Sequence, residues 1–487
     1  MQTAMPNMGA IMLFPEAKTA KAETSRIFAL QQAAHKTNPF PSYKERSAHL
    51  KRLELMVARS RIVMCDALSA DYGNRAREET LLTEINGLLS NLRYTRKNLR
   101  RWMRAKGRST SIWNLPGSNK TVAMPCGVVG IMAPWNYPIN LSLVPAVAAL
   151  AAGNRVMIKM PELTPELTAL MKRLLAENFS EDQIAVIDGD ASVAGHFSTH
   201  PFGHLLFTGS TGVGKKIMRA AAEHLTPVTL ELGGKSPVIV GTDYSITEAA
   251  KRTVWGRLFN AGQTCVAADY ALVPRGQENA FADAALKAAR EMYSELNGNP
   301  DYSSIVNEDH VTRLKAIVDE AVQKGATLHT AAPLSDVGPD RKFPLCVLLN
   351  TPPESRALTE ETFGPILPVI PYDTIEEAIA YVNDRPTPLA AYYFGGKQGR
   401  KLALQKLKAG GMTLNDTLLH YLQDDLPFGG MGGSGFGRYH GKHGFDTFSH
   451  DKAVFTQRGF GTFTGAKLIY PPYGKVARLL LAMMRRI

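Results

Sequence analysis

The sequence predicts an α/β protein with a doubly wound parallel-sheet domain, a second α/β domain and a small β element, on three observations. From residue 126 onward, short apolar runs of strand length alternate with helix-length amphipathic stretches, a pattern that implies parallel pairing through right-handed crossovers. The chain has 487 residues, more than one hydrophobic core holds, so two or three domains are expected. The glycine-rich run Gly209-Ser210-Thr211-Gly212-Val213-Gly214-Lys215 follows an apolar strand and opens a helix, which places free backbone amides at a strand end.

The first hundred residues read as long helices. Ser42 caps a run through Leu50, Leu53, Leu55, Met56 and Val57 toward Leu68, with apolar residues recurring at three and four, and Gly73 stops it. A second helix is expected over about 77–104, with Leu81, Leu82, Ile85, Leu88, Leu89 and Leu92 on its packed side. Residues 109–124 are broken by Gly and Pro and read as strand-like. Strands over 128–132, 155–159, 183–187 and 204–207 then alternate with helices over 143–152, 165–178 and 213–225. A second round follows: strand 238–240, helix 247–259, strand 270–273, helices 279–296 and 309–324, and strands near 345–348, 367–370, 389–394 and 411–414. Asp373-Thr374-Ile375-Glu376-Glu377 reads as a capped helix start. No repeat or low-complexity segment interrupts the chain.

A content of 45% hydrophobic and 21% charged residues is that of a soluble globular protein. Cys65, Cys126, Cys265 and Cys346 are scattered, with no CxxC or paired His spacing, which argues against a disulfide framework or structural zinc and suits a reducing cytoplasm. The apolar piece 11–14 has no basic residue before it and Glu16 soon after, so it does not read as a secretion signal. The net charge of +12 raises nucleic acid as a partner, and Arg93, Arg96, Lys97, Arg100, Arg101, Arg104, Lys106 and Arg108 sharpen it. A solvated helix face, or one packed at a subunit boundary, accounts for the same cluster, and no nucleic-acid partner is expected. Seven basic residues and no acidic one fall in 452–487, which supplies over half of the excess charge.

The chemistry concentrates in two stretches. Glu231-Leu232-Gly233-Gly234-Lys235-Ser236-Pro237 ends a short apolar strand in a glycine pair, and Phe259-Asn260-Ala261-Gly262-Gln263-Thr264-Cys265 follows a helix. Together they offer a carboxylate and a thiol, as a base and a nucleophile would be. A lone Cys is also, and more often, a small buried hydrophobe. The glycine run fits the spacing G-x-x-x-x-G-K of a phosphate-cradling P-loop, but Lys216 stands where a magnesium-holding Ser or Thr is needed, so a nucleotide triphosphatase is the distant alternative. Gly430-Met431-Gly432-Gly433-Ser434-Gly435 matches G-x-G-x-x-G without a βαβ unit around it and is discounted.

These two stretches resemble the signature motifs of the aldehyde dehydrogenase superfamily, at its usual separation. Pro134-Trp135-Asn136, Lys159-Met160-Pro161-Glu162, Phe207-Thr208-Gly209-Ser210 and Glu360-Glu361-Thr362-Phe363-Gly364-Pro365 extend the likeness over roughly residues 20–460. Leu426-Pro427-Phe428-Gly429-Gly430 and the run from Tyr439 to His450 resemble the class 3 branch, in which bacterial coniferyl aldehyde dehydrogenases are the nearest likeness. The resemblance implies oxidation of an aldehyde to its acid, with Cys265 as nucleophile, Asn136 and the Cys265 backbone N–H as oxyanion donors, and Glu231 as base for thioester hydrolysis. It implies NAD, with NADP as an alternative, held by Trp135, Lys159, Glu162, Gly209, Ser210, Gly214, Leu232, Gly233, Glu361 and Phe363, and no metal. Glu162 would repel a 2′-phosphate and Lys159 would welcome one. Without the family, Lys159 and Glu162 could equally be an exposed charge pair, Glu361 a solvated acid and Phe363 a core aromatic. Asn415 is expected near the substrate entrance. Ala268 replaces the Pro usual in class 3, which loosens the backbone after the nucleophile.

The expected division is 1–108 with 126–232 as the dinucleotide-binding domain, 233–445 as the catalytic domain, 109–125 with 446–459 as an oligomerisation element, and 460–487 as a basic C-terminal tail. Coniferyl aldehyde is the expected substrate, with a medium- or long-chain aliphatic aldehyde as the alternative. The expected state is a cytoplasmic homodimer. The apolar run 479–484 is far short of the about 20 residues that cross a bilayer, and contact with a membrane surface through the tail is the lesser expectation beside subunit packing.

Overall fold

The computed structural model describes residues 17–458, 467 and 470–484. Two parallel-rich sheets and one small antiparallel sheet organise them. In the first sheet Val128–Met132 is central, with Arg155–Lys159 and then Ile184–Ile187 on one side and His204–Gly209 and then Val228–Leu232 on the other, all parallel. The strand order reverses direction at Val128–Met132, and the crevice beyond the carboxyl ends of such strands is where doubly wound sheets bind ligands. Helices Asn140–Ala152, Pro165–Asn178, Ala191–Ser198 and Thr211–Ala222 connect the strands. Asn140–Ala152 is buried along its whole length, which its run of Ala, Val and Leu permits.

Gly435–Phe436 closes the edge of this sheet antiparallel to Val228–Leu232, although it comes from the stretch expected to belong to the second domain. Gly435 has a positive φ of 118°, and a Cβ there would lie 1.9 Å from the Leu230 carbonyl oxygen, so only glycine fits this strand crossing.

The second sheet has the order Thr327–Thr330, Cys346–Leu349, Ile366–Tyr372, Tyr270–Pro274, Pro237–Val240, Ala390–Phe394 and Gly411–Leu414. Only its first pair is antiparallel. Lys106–Arg108, Ser118–Pro125 and Ser449–Thr456 form the third sheet, antiparallel throughout and largely outside the core.

Cap chemistry read from the sequence is present. Ser42 and Glu45 form a reciprocal capping box at the start of Tyr43–Tyr72, and Thr374 accepts the Glu377 N–H at the start of Ile375–Asn383. The helix expected over 77–104 differs in its first third. It runs as Arg77–Glu79, then a wider π-helical turn Thr80–Asn86 in which the Gly87 N–H reaches back to Leu82, then Gly87–Trp102. The extra residue rotates the register, so Leu82 is 47% exposed instead of packed, while Glu84 is fully buried. Of the basic cluster on this helix, Arg93 and Arg96 pair with Glu54.

The helix Lys475–Met484 buries Ala477 and exposes Val476, Leu479, Leu481 and Met483. Among the described residues no helix is long and apolar enough to cross a membrane.

Candidate active site

A cleft of about 710 Å³ opens at the carboxyl ends of the first sheet's strands. It brings together Trp135, Asn136, Lys159, Glu162, Gly209, Ser210, Glu231, Leu232, Gly233, Cys265, Glu361 and Phe363. Of the residues singled out from sequence, Gly214 is outside the lining. A Cβ on it would lie 2.7 Å from Leu232 Cδ2, so it brings helix Thr211–Ala222 onto the last strand. Asn415 is also elsewhere, its side chain accepting the Gly395 N–H and its carbonyl oxygen accepting from Arg252.

Cys265 stands on the wall between this cleft and a second, narrow slot of about 50 Å³ lined by Tyr137, Trp255, Phe259, Leu418, Tyr421 and Leu82. The turn that carries it needs unusual backbone. Asn260 and Ala261 have φ of 52° and 51°, and Gly262 has φ of 76° with Gly364 packed so close that a Cβ would meet its carbonyl carbon at 2.6 Å. Three left-handed residues in a row are costly for an L-chain. Buried amides hold them: the Gln263 side chain donates to the Asn260 and Ser304 carbonyls at 3.0 Å and accepts the Val306 N–H at 2.9 Å. Downstream, Asp269 is clasped at 3.0 Å by both Lys235 and Arg257, and it also accepts from Thr362. Because Lys235 belongs to the glycine turn after Glu231, this ion cluster ties that turn to the thiol's loop, and it restrains the backbone beside Ala268.

Burial pushes the Cys265 thiol up to about 12, and the Glu361 and Glu231 carboxyls add to the rise. Glu231 is 2% exposed, and neither of its oxygens has a hydrogen-bond partner, so burial holds its carboxyl well above the usual range. A carboxyl in this state has a function waiting for it more often than a structural role, since an unsatisfied buried acid costs stability. One N–H of the Asn136 amide donates to the Gln263 carbonyl at 3.1 Å, which leaves the second free.

The remainder of the cleft suits a dinucleotide. Helix Thr211–Ala222 presents its N-terminus, capped by Ser210, at the end of strand His204–Gly209. Glu361 lies against Gly233, burial lifts its carboxyl to about 8, and its Oε1 has no partner. Trp135 and Phe363 meet edge-to-face with centroids 5.5 Å apart. Lys159 is buried rather than an exposed member of a charge pair, with its ammonium on the Met160 and Gly189 carbonyls at 2.6 and 2.7 Å, while Glu162 is exposed. His310 and Arg313 also line the cleft and were not singled out from sequence. They come from helix Glu308–Gln323, where they follow ordinary amphipathic spacing and carry no motif.

The helix after Gly209 begins at Thr211, so Thr211, Gly212 and Val213 of the P-loop spacing are helical and cannot wrap a phosphate chain. This removes the triphosphatase alternative on geometry. The described residues contain no group of three or more His, Cys, Asp or Glu placed to hold a metal.

A family model described as "Aldehyde dehydrogenase family" matches residues 7–454. The chain is 48% identical over 456 residues to a probable coniferyl aldehyde dehydrogenase of Pseudomonas aeruginosa, covering 93% of this chain and 94% of that protein. It is 41% identical over 444 residues to a coniferyl aldehyde dehydrogenase of a Pseudomonas species, covering 90% and 91%. A solved structure described as the substrate-bound state of Staphylococcus aureus AldH superposes with a TM-score of 0.88 at 36% identity, covering 94% of this chain and 99% of that one. With this coverage, and with Cys265, the buried Glu231 and Asn136 all lining one cleft and Cys265 also facing the slot, the chain belongs to the aldehyde dehydrogenase family and is an enzyme that acts on aldehydes with NAD or NADP.

Proposed function

We propose that the chain oxidises an aromatic aldehyde, with coniferyl aldehyde converted to ferulate as the reference reaction, through a thioester on Cys265. The observation that carries this is the placing of Cys265 in the partition between a dinucleotide-sized cleft and an apolar slot with four aromatic residues. The slot admits a flat apolar body and delivers its carbonyl to Sγ. Aromatic walls favour a ring through edge and face contacts. The relatives named for coniferyl aldehyde support the same substrate.

Attack begins when Cys265, whose thiol burial pushes up to about 12, loses its proton to water in the cleft. Sγ bonds to the carbonyl carbon, and the oxygen takes the negative charge. The free N–H of Asn136 and the backbone N–H of Cys265 are neutral donors for that oxyanion. Lys159, Glu162, Ser210, Glu361 and Phe363 line the cleft that would hold the dinucleotide, which would supply the hydride acceptor for that carbon. Collapse of the oxyanion leaves a thioester. Glu231 then takes a proton from water, whose oxygen attacks the thioester carbon, and the acid departs as Sγ is released.

A panel of coniferyl, benzylic and medium- and long-chain aliphatic aldehydes with NAD or NADP, followed by nicotinamide absorbance, tests the proposal. Aromatic preference in kcat/KM is expected. A preference for long aliphatic aldehydes would move the assignment to fatty aldehydes.

NAD is the proposed cofactor because Glu162, exposed at the cleft's rim, opposes a 2′-phosphate. A cytoplasmic homodimer is proposed, with the three-stranded sheet as its arm. Ile112, Leu115 and Phe455 leave apolar surface exposed on and beside that sheet. Sedimentation velocity checks this, and a monomer at micromolar concentration would contradict it.

A further inference from the structure

Beneath the oxyanion donor lies a cluster of buried charge that the mechanism above does not use. Arg75 is 2% exposed and donates from Nη1 to the backbone carbonyl of Asn136 at 2.5 Å. Its guanidinium lies over the rings of Tyr72 and Tyr137, 5.0 and 4.7 Å from their centroids. Nη2 is 3.7 Å from Glu84 Oε1, and the other oxygen of Glu84 accepts the N–H groups of Ile139 and Asn140 at 2.8 and 2.9 Å. Glu84 therefore fixes the chain on one side of Asn136 and orients the cation that fixes Asn136 itself.

A second buried acid does the same for the nucleophile's loop. Glu79 Oε2 accepts the Asn260 N–H at 3.0 Å, on the first of the left-handed residues, and the Ser303 hydroxyl at 2.9 Å. Asn260 in turn donates its side-chain amide to the Asn136 and Gln263 carbonyls, each at 3.2 Å. Both acids lie next to or within the π-helical turn Thr80–Asn86, whose extra residue turns Glu84 inward.

Desolvating an arginine and two carboxyls costs several kcal/mol per ion before attraction repays it, so such a cluster is poor evidence of a stabilising device. What it provides is a single relative placement of two segments far apart in sequence. We propose that Arg75, Glu79 and Glu84 are positioning residues, which hold the Asn136 amide in register with the Cys265 loop and so set the rate of acylation. The proposal rests on the reading of Asn136 as oxyanion donor.

The test is a double-mutant cycle on the burst of NADH formed in the first turnover, with excess coniferyl aldehyde and saturating NAD. Glu84→Gln, Arg75→Lys and Asn136→Ala are made singly, and each of the first two is combined with Asn136→Ala. Arg75→Lys keeps a cation and loses the two-pronged reach, and Glu84→Gln keeps the shape and loses the charge. Melting temperature and NAD affinity are followed in parallel, so the variant that keeps both carries the reading.

Glu84→Gln or Arg75→Lys alone is expected to slow the burst roughly ten- to a hundredfold, the scale of a small misplacement of reacting groups. In the Asn136→Ala background the same change is expected to add no more than about twofold, because the group being positioned is gone. Losses that multiply in the double variants, or single variants with an undiminished burst, overturn the coupling. An undiminished burst in Asn136→Ala overturns the oxyanion assignment, and this proposal falls with it.

Discussion

Gly233→Ala tests how the cleft holds its cofactor, because the structure fixes what the added methyl would meet. A Cβ at Gly233 would lie 1.9 Å from Oε2 of Glu361 and 2.7 Å from its carboxyl carbon. To reach even a 3.0 Å contact, Oε2 must retreat by about 1.1 Å, and its partner is the end of a flexible side chain rather than backbone. The fold can therefore yield cheaply, whereas the carboxylate cannot stay where it is. Burial lifts the Glu361 carboxyl to about 8, so near neutral pH it is mostly protonated. A hydrogen bond of a neutral group is worth about 0.5–1.5 kcal/mol, so loss of Glu361's proposed contact with the dinucleotide is expected to raise KM for NAD roughly 2- to 12-fold. Melting temperature without cofactor should change little. Steady-state kinetics in NAD at fixed aldehyde, together with a thermal melt, is the assay. An unchanged KM for NAD in a folded Gly233→Ala enzyme would refute the role given to Glu361, and a collapse in melting temperature would show that the carboxylate is structural.

Cys265→Ala should abolish aldehyde oxidation while NAD still quenches protein fluorescence. Ala at Cys65, Cys126 or Cys346 should leave turnover largely intact, since none of them lines the two cavities. Glu231→Gln should give one rapid equivalent of NADH and then stall with the thioester on Cys265, detectable by mass spectrometry of the quenched enzyme; loss of the burst would instead make Glu231 the base for the thiol. The pH profile should show the same group from another side. Burial raises the folded-state pKa of Glu231 well above 4.5, and only the ionised form accepts a proton, so kcat should rise with pH through that raised value. A kcat that does not rise with pH would contradict it.

The parts of the site that could be read from the chain are those built from contiguous residues. A glycine pair after an apolar strand, and a Gly three residues before a Cys, have local backbone causes, and the structure gives each one a close contact or a positive φ. Strand and helix alternation likewise gave the parallel interiors of the two large sheets, because period and turn chemistry are local. The short edge strand Gly435–Phe436 was not legible, since two residues carry no periodicity and the pairing depends on a glycine crossing over Leu230.

The aromatic slot was illegible for a different reason. Tyr137, the pair Trp255 and Phe259, and Tyr421 come from three separate segments and look, one at a time, like any half-buried ring. A 3.6-residue period predicts Leu82 on a packed face, yet it lines the slot, and the acid two residues later is the one that packs. Both reversals have one cause, the wider turn Thr80–Asn86. Periodicity assumes a constant rotation per residue, and one inserted residue breaks it without any marker in composition. A carboxyl buried by such a turn is costly unless it satisfies donors that nothing else reaches, and Glu84 satisfies two backbone N–H groups at the start of the helix that follows Asn136. The same irregularity thus opens one wall of the apolar slot and supports the segment that carries the Asn136 amide. In this chain the turn hardest to foresee is the one that joins the apolar slot to the segment carrying the proposed oxyanion donor, so a change that regularised it should disturb both.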